Sequence, residues 1–357
     1  MQLFFTQSIL HTPKSEQENY VFNKNKNISW TRGLKLKARK SVEAKFNANA
    51  ITQSCYRPFN KQHLFQEKMF IESPSRWSEF VGHGDNLFIC VSGIGSDKDF
   101  TVCISDLPVC LDAFDKTQCF PLYWYEEQQP KQPAQMANLF AAASPAEPAN
   151  EIEWVRHDGI TDYILQAARQ QYDNIGISKE DIFYYVYGLL HNSEYRGQFA
   201  ADLKKMLPRL PLVESCADFI AFSKIGRQLA ELHLDYEKRP APAGVVVDGD
   251  KGNYTVTKMR FTDKKDKSSI HYNDDITIKN IPLEAYEYVV NGRSAIEWIM
   301  ERYQVKIDKH SQIKNDPNDW SREQGDTRYI LDLLLSIITV SIESVKLIKS
   351  LPEVTFD

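Results

Sequence analysis

The chain has 357 residues, 42% hydrophobic and 25% charged, the balance of an ordinary globular protein, which excludes disorder throughout. A formal net charge of -5 excludes a protein that coats nucleic acid indiscriminately. The six cysteines, Cys55, Cys90, Cys103, Cys110, Cys119 and Cys216, form no C-x-x-C pair and have no histidines at zinc-ligand spacing. They read as small buried hydrophobes of a reducing compartment, with no metal site.

The N-terminal segment MQLFFTQSILHTPKSEQEN has no basic n-region and no small-residue cleavage site, so no signal peptide is expected and the compartment reads as the cytosol. A basic cluster follows: Lys24, Lys26, Arg32, Lys35, Lys37, Arg39, Lys40 and Lys45, with Glu43 the only acid among them. On a mildly acidic chain such a patch suits a local phosphate contact, although any single lysine can simply be a solvated helix or strand face.

Alternation in Asn86–Val91 and Phe100–Ile104, with Gly82, Gly84, Gly93 and Gly95 around them, predicts short strands joined by turns and a β-rich first part over 1–125. Residues 126–150, EEQQPKQPAQMANLFAAASPAEPAN, predict a linker or mobile loop, with Met136–Ala143 a possible docked helix as the alternative. Ser178 with Asp181 resembles a capping box ahead of Ile182, Tyr185, Val186, Leu189 and Leu190 at helical spacing, and Pro208 is expected to stop a second helix. Asp218–Leu232 carries Phe219, Phe222, Ile225, Leu229 and Leu232 on one stripe, a core-facing helix.

Strands are expected again in GVVVDG, YTVTKMRFT, ITIKN and YEYVV between residues 244 and 290. Asn291-Gly292 turns the chain into a helix opened by the S-x-x-E capping box Ser294–Glu297. A long helix from about Thr327 to Lys349 ends the chain. Its apolar run Leu333–Ile342 is interrupted by Ser336, Thr339 and Ser341 and falls short of the roughly 20 residues that span a bilayer, so no membrane partner is expected. The fold class is α+β: a β-rich N-terminal part, then a mixed helical and β part over 151–357 that ends in a long helix. No repeat at a fixed period is visible.

Catalytic signatures fail in turn. Asp316-Pro317-Asn318-Asp319-Trp320 approaches the D-P-P-W turn with which amino-methyltransferases hold a flipped base, but Asn318 replaces the second proline and Asp319 is inserted. The nearest cofactor-type turn, Val91-Ser92-Gly93-Ile94-Gly95-Ser96, holds only G-x-G. Glu43-Ala44-Lys45 supplies the E-x-K of a metal-dependent nuclease, yet no aspartate precedes it, Asp85 being the first. No phosphate-binding loop, G-x-S-x-G or H-E-x-x-H is present. His63, His83, His191 and His271 read as satisfied surface or core residues, and no catalytic residue is assigned.

Cys55-Tyr56-Arg57-Pro58-Phe59-Asn60-Lys61-Gln62 resembles the Y-R-P-F-[DN]-x-[RQ] segment that follows the methyltransferase domain in large single-chain restriction-modification enzymes, and Phe120-Pro121-Leu122-Tyr123-Trp124-Tyr125 resembles their F-P-L-Y-x-Y. Asp181–Asn192, Tyr195-Arg196, Leu207–Pro211, Gly226–His233, Val290–Ala295 and Asn315–Trp320 are similar, in order, to the C-terminal specificity domain of the Type ISP family, over most of the chain from Ile28. The resemblance implies a non-catalytic target-recognition domain. It would read double-stranded DNA and present an adenine to a methyltransferase elsewhere in the parent enzyme. S-adenosylmethionine, ATP and Mg²⁺ would belong to the methyltransferase, helicase and nuclease domains, which are absent here.

Side-chain chemistry then sorts the candidates. Arg32, Lys35, Lys37, Arg39 and Lys40 suit DNA backbone contacts. Arg57 and Lys61 are either backbone contacts or part of a docking surface for the methyltransferase, with Pro58 and Phe59 favouring the latter. For base readout the loop residues are Lys98, Asn291, Arg293, Gln312, Lys314 and Asn315, with Lys258, Arg260 and Lys264 of a basic hairpin that also holds Lys265 and Lys267. For Asn291-Gly292 and Asn315-Asp316-Pro317, plain turn chemistry competes with a reading role. The alternative function is a protein-interaction module that docks to a methyltransferase or helicase and has little DNA affinity of its own.

Overall fold

Thr31 opens the basic run as a helix: its Oγ1 accepts from the Leu34 N–H at 3.2 Å, and α1 (Arg32–Arg39) follows with no buried residue. The computed structural model describes residues 13–17, 30–40, 42, 46–67, 69–72, 76–128, 153–309 and 312–354. Lys24, Lys26, the Glu43–Lys45 tripeptide and Met136–Ala143 lie outside them.

Strands β1 (Ile51–Arg57) and β2 (Asn60–Phe65) form an antiparallel hairpin, irregular between Cys55 and Arg57. Strands β3 (Phe88–Val91), β4 (Val102–Ser105) and β5 (Gln118–Pro121) pair antiparallel in the order β4-β3-β5. Every residue of β3 and β4 is buried, so these two strands are covered on both faces, whereas Cys119 and Phe120 of the edge strand β5 are exposed. Side chains alternate along a strand, and here the alternation separates two cores. Phe88, Cys90 and Cys103 join one apolar cluster, whereas Ile89, Val91, Val102 and Ile104 join the other. An antiparallel pair of β6 (Tyr123–Gln128) and β7 (Glu153–Asp158) follows. β6 therefore runs through Gln128, into the start of the expected linker, whose remaining residues are not among those described.

The second cluster is helical: α2 (Asp162–Tyr172), α3 (Lys179–Leu189), α4 (Ser193–Gln198) and α5 (Cys216–Leu234). The capping box at Ser178 and Asp181 closes in both directions. Helices α3 and α5 cross through two glycines. A Cβ on Gly226 would sit 2.0 Å from the Tyr184 carbonyl oxygen, and one on Gly188 2.4 Å from that of Phe222. After α4 a short helix over Ala200–Leu203 ends five residues before Pro208, the residue expected to stop it. The Leu207–Pro211 segment is instead held in the open by tyrosines, because the Tyr185 and Tyr195 hydroxyls donate to the carbonyls of Pro211 and Arg209 at 2.7 and 2.8 Å.

The first cluster holds the C-terminal elements. β8 (Val246–Asp248), β9 (Arg260–Phe261), β10 (Ile270–His271) and β11 (Thr277–Lys279) form an antiparallel sheet in the order β8-β11-β10-β9. β12 (Val289–Val290) and β13 (Arg293–Ser294) make a hairpin ahead of α6 (Ala295–Arg302), and β14 (Lys306–Ile307) pairs with β15 (Lys314–Asn315). Then come α7 (Asn318–Glu323) and α8 (Tyr329–Lys349). Leu347 and Ile348 of α8 pack against both clusters. The chain is thus α+β, β-rich first and closed by a long helix.

Three segments differ from the sequence reading. Of YEYVV only Val289 and Val290 are strand, because Leu283–Tyr286 closes into a 3-10 turn. Of Tyr254–Thr262 only Arg260 and Phe261 are strand, because the backbone of Val256 is hydrogen-bonded by the Asn318 side chain and not by a neighbouring strand. Asp316–Trp320 is the start of α7, not a free turn. Asp316 Oδ1 accepts from the Asn318 N–H at 3.1 Å, and Asn318 itself is buried.

Candidate nucleic-acid interface

Asn291 and Gly292 both have positive φ, 49° and 78°, the conformation of a two-residue hairpin turn. The turn delivers the chain from β12 through β13 straight into α6. Ser294 and Glu297 close the capping box at that junction. Further along the helix, the buried Trp298 fixes its indole N–H to the Val290 carbonyl at 2.7 Å. Above that ring lie two guanidinium groups, Arg293 at 5.5 Å and Arg302 at 5.9 Å from its centroid. Both are ion-paired to one carboxylate, Glu301.

Other loops converge on this unit. The Asn291 N–H donates to Thr101 Oγ1 at 2.8 Å, and Lys98 lies over the turn, its Cδ 3.4 Å from where a Cβ of Gly292 would be. The Val305 N–H donates to the Thr257 carbonyl at 2.9 Å, which brings Lys258 beside β14. Lys306 pairs with Asn315, and Ile307 with Lys314. The Tyr303 hydroxyl donates to the Phe59 carbonyl at 3.3 Å and so docks the β1–β2 turn, with Arg57, against the end of α6.

Charge records the convergence. Burial, and then the positive charge of Arg57, lower the pKa of the Arg302 guanidinium. Burial, followed by Arg302, Arg293 and Lys258, lowers that of the Lys306 ammonium. Arg57 thus faces Arg302, and Arg302, Arg293 and Lys258 face Lys306, a gathering of cations by the Tyr303–Phe59 and Val305–Thr257 bonds and the Trp298 ring that an anion relieves. Asn291 Oδ1 and Arg302 Nε are also buried without a hydrogen-bond partner, where such groups are ordinarily satisfied.

The remaining predicted residues are distributed more widely. Arg32, Lys35, Lys37 and Arg39 lie on α1, followed by Lys40 at its C-cap; Lys37 Nζ donates to the Met69 carbonyl at 2.8 Å, and Arg32, Arg39 and Lys40 are exposed. Arg260 lies on β9 and Lys264 in the exposed turn after it. Lys267 instead pairs with Glu297 at 2.8 Å. Gln312 lies in the β14–β15 connection with φ 59° and its side chain donates to the Lys309 carbonyl at 2.8 Å. Lys314 pairs with Asp316 at 2.9 Å, and Asn315 is exposed.

Two sequence expectations change. Lys61 is held inside the fold by Glu237 at 2.5 Å and sits 5.3 Å from the Tyr236 ring centroid, which removes it from the phosphate-facing set. Pro58 and Phe59 do not form an external docking surface: both are buried, and Phe59 packs edge-on against Tyr236 with centroids 5.5 Å apart. Sequence reasoning missed Arg302 and Lys306. The available signal was positional: the Ser294 capping box implies a helix whose last turn reaches residue 302, and that end of a helix favours cations.

Among the described residues, no group of three or more His, Cys, Asp or Glu is placed to hold a metal ion, and no helix is long and apolar enough to cross a membrane.

The family described as the Type ISP C-terminal specificity domain matches residues 5–333. Among solved structures, the chain is similar to the ATP-dependent Type ISP restriction-modification enzyme LlaBIII bound to DNA, at 34% identity and a TM-score of 0.82, over 99% of this chain and 21% of that one. It is similar to a nuclease-deletion mutant of the Type ISP enzyme LlaGI in complex with a DNA substrate mimic, at 36% identity and a TM-score of 0.80, over 99% and 25%. A DrdV–DNA complex matches at 26% identity and a TM-score of 0.79, over 99% and 33%. The chain thus spans between a fifth and a third of the length of these enzymes. No curated protein matches. By the extent of the family match and by its likeness to LlaBIII and LlaGI over nearly its whole length, the chain belongs to the Type ISP C-terminal specificity domain family.

Proposed function

We propose that this chain recognises double-stranded DNA as the specificity part of a restriction-modification enzyme and is not catalytic by itself. It would present an adenine to a methyltransferase carried elsewhere in the parent enzyme, and S-adenosylmethionine, ATP and Mg²⁺ would act in the methyltransferase, helicase and nuclease parts. A DNA-handling role of this kind belongs in the cytoplasm. The observation that carries the reading is the convergence of Arg57, Lys258, Arg293, Arg302 and Lys306, drawn from separate stretches of chain. Folding alone gains nothing from crowding cations, whereas a polyanion does. The α1 residues Arg32, Lys35, Lys37, Arg39 and Lys40 supply a further sequence-independent contact. Lys98, Asn291, Gln312, Lys314 and Asn315 surround the cluster as the polar readers, with Arg260 and Lys264 on the adjoining sheet.

The test is duplex binding by the whole chain at low salt, followed by fluorescence anisotropy. Binding that weakens steeply as salt rises supports the reading, and failure of every duplex to bind removes it. A second reading, a docking module with little DNA affinity, is favoured by one observation: an apolar groove of about 590 Å³ lined by Phe80, Phe120, Trp124, Val186, Leu207 and Pro208. It predicts a stable complex with a methyltransferase or helicase subunit and a DNA footprint unaffected by neutralising the cation cluster.

A further inference from the structure

The Glu301 carboxylate is the group that decides where two of the five cations point. It bridges the Arg293 and Arg302 guanidiniums, which share the Trp298 ring as a platform. That ring is itself pinned to the Val290 carbonyl and buried. A free arginine on the surface samples many rotamers and loses that freedom on binding; a pair held over an indole by a common carboxylate has already lost it. Each guanidinium carries five N–H donors in a rigid fork, and Glu301 meets Arg293 through Nη1 and Arg302 through Nη2. The other Nη group of each guanidinium is not engaged by Glu301, which leaves N–H donors on both for an acceptor from outside. One carboxylate cannot neutralise two guanidiniums, and Lys306 and Arg57 add positive charge next to them. The unit is charged, oriented and under-satisfied.

We infer that Glu301 is a positioning residue that presents Arg293 and Arg302 as a pre-organised pair of forked donors for a double-acceptor edge of DNA. Two parts of a duplex offer that edge, the O6 and N7 of guanine in the major groove and the two free oxygens of a phosphate. The inference rests on the DNA reading above and adds to it which residue sets the geometry.

The experiment uses the full chain in two measurements. One is selection from a randomised duplex library; the other is anisotropy titration of a mixed-sequence duplex across a salt series. The variants are E301Q, R293K, R302K and R293Q/R302Q, with thermal unfolding of each as the control for folding. Glu301→Gln keeps the shape and removes the charge that holds the pair. If the edge is guanine, E301Q, R293K and R302K each flatten the selected sequence at one or two guanine positions by about tenfold and leave the salt slope unchanged, because a lysine keeps the charge but not the fork. If the edge is phosphate, the selected sequence survives in all of them. R293K and R302K then bind nearly as the parent does, and R293Q/R302Q lowers the salt slope by about two.

Either pattern supports a positioning role provided that E301Q itself weakens binding at least about threefold while its melting temperature stays with the parent. The inference is overturned if E301Q matches the parent in selected sequence and affinity, or if its loss of binding only follows loss of folded protein. If the parent chain binds no duplex in either measurement, the DNA reading itself fails, and that result is distinct from a parent that binds alongside an unaffected E301Q.

Discussion

Asn318 replaces a strand for Val256. Its Oδ1 accepts the Val256 N–H at 2.9 Å and its Nδ2 donates to the Val256 carbonyl at 2.8 Å, across 62 residues of sequence and inside the core. The asparagine that spoils the D-P-P-W likeness is therefore structural, and it ties the start of α7 to the segment carrying Lys258. Replacing it by alanine leaves a buried donor and a buried acceptor without partners, each costing about 1–3 kcal/mol. Asn318→Ala is expected to destabilise the chain by about 2–4 kcal/mol, read from the urea midpoint. A drop below about 0.5 kcal/mol, the noise of a surface substitution, would contradict the role.

The crossing of α3 and α5 predicts an unusual sign. In an exposed helix, glycine to alanine gains up to about 1 kcal/mol. At Gly226 the new methyl would meet the Tyr184 carbonyl at 2.0 Å, backbone that cannot rotate away. Gly226→Ala is expected to destabilise by about 1–3 kcal/mol through forced separation of the helices, and Gly188→Ala similarly. Gly197, with nothing within 4 Å of its Cβ position, is the control, where alanine should be neutral or stabilising.

Two buried histidines set a pH dependence. Burial is the main reason that His191 is lowered to about 3, its bond to the Tyr187 carbonyl opposing and Arg196 adding to the drop. His233, hydrogen-bonded to the Tyr187 hydroxyl at 2.6 Å and to Ser344 at 2.8 Å, is lowered by burial and then by His191. Both folded pKa values lie below the unfolded value of about 6.5, so the unfolded chain takes up protons first. Their contribution is intact above about pH 6.5 and is lost as pH falls below it, at up to about 1.4 kcal/mol per pH unit for each group. Urea midpoints should be flat from about pH 8 to 7 and fall between about 6.5 and 5, ahead of most carboxylates. Imidazole resonances of His191 and His233 that titrate near the ordinary value of about 6.5 in the folded protein would contradict this.

The two basic regions should separate in their effects. Neutralising Lys35, Lys37 and Arg39 on α1 is expected to lower affinity for all duplexes alike and to reduce the salt slope by roughly one for each phosphate that is no longer neutralised. Changes to Lys98, Asn291 or Asn315, beside the cation cluster, should alter which sequence is preferred, by about 1–3 kcal/mol for each base edge that is no longer read. Selection on a randomised duplex library distinguishes the two.

What could be read from sequence was local. The capping boxes at Ser178 and Ser294, the Asn291-Gly292 turn and the apolar stripe of α5 each lie within a few residues and obey short-range rules, and all are present. What could not be read depends on distant partners. Lys61 looks like a phosphate contact until Glu237, 176 residues away, is seen to hold it. Phe59 looks like an exposed motif residue until Tyr236 and Tyr288 are seen around it. Arg302 and Lys306 gain their significance only because Thr257 draws Lys258 to them and Tyr303 draws the β1–β2 turn.

The most direct test of the central claim is the salt dependence of duplex binding by the full chain beside its R302Q/K306Q variant. The account predicts that the parent binds at low ionic strength with a steep negative slope of log affinity against log salt. The variant, folded and equally stable, should lose about two units of that slope. Equal slopes for the two proteins, or no binding by the parent at low salt, would contradict it.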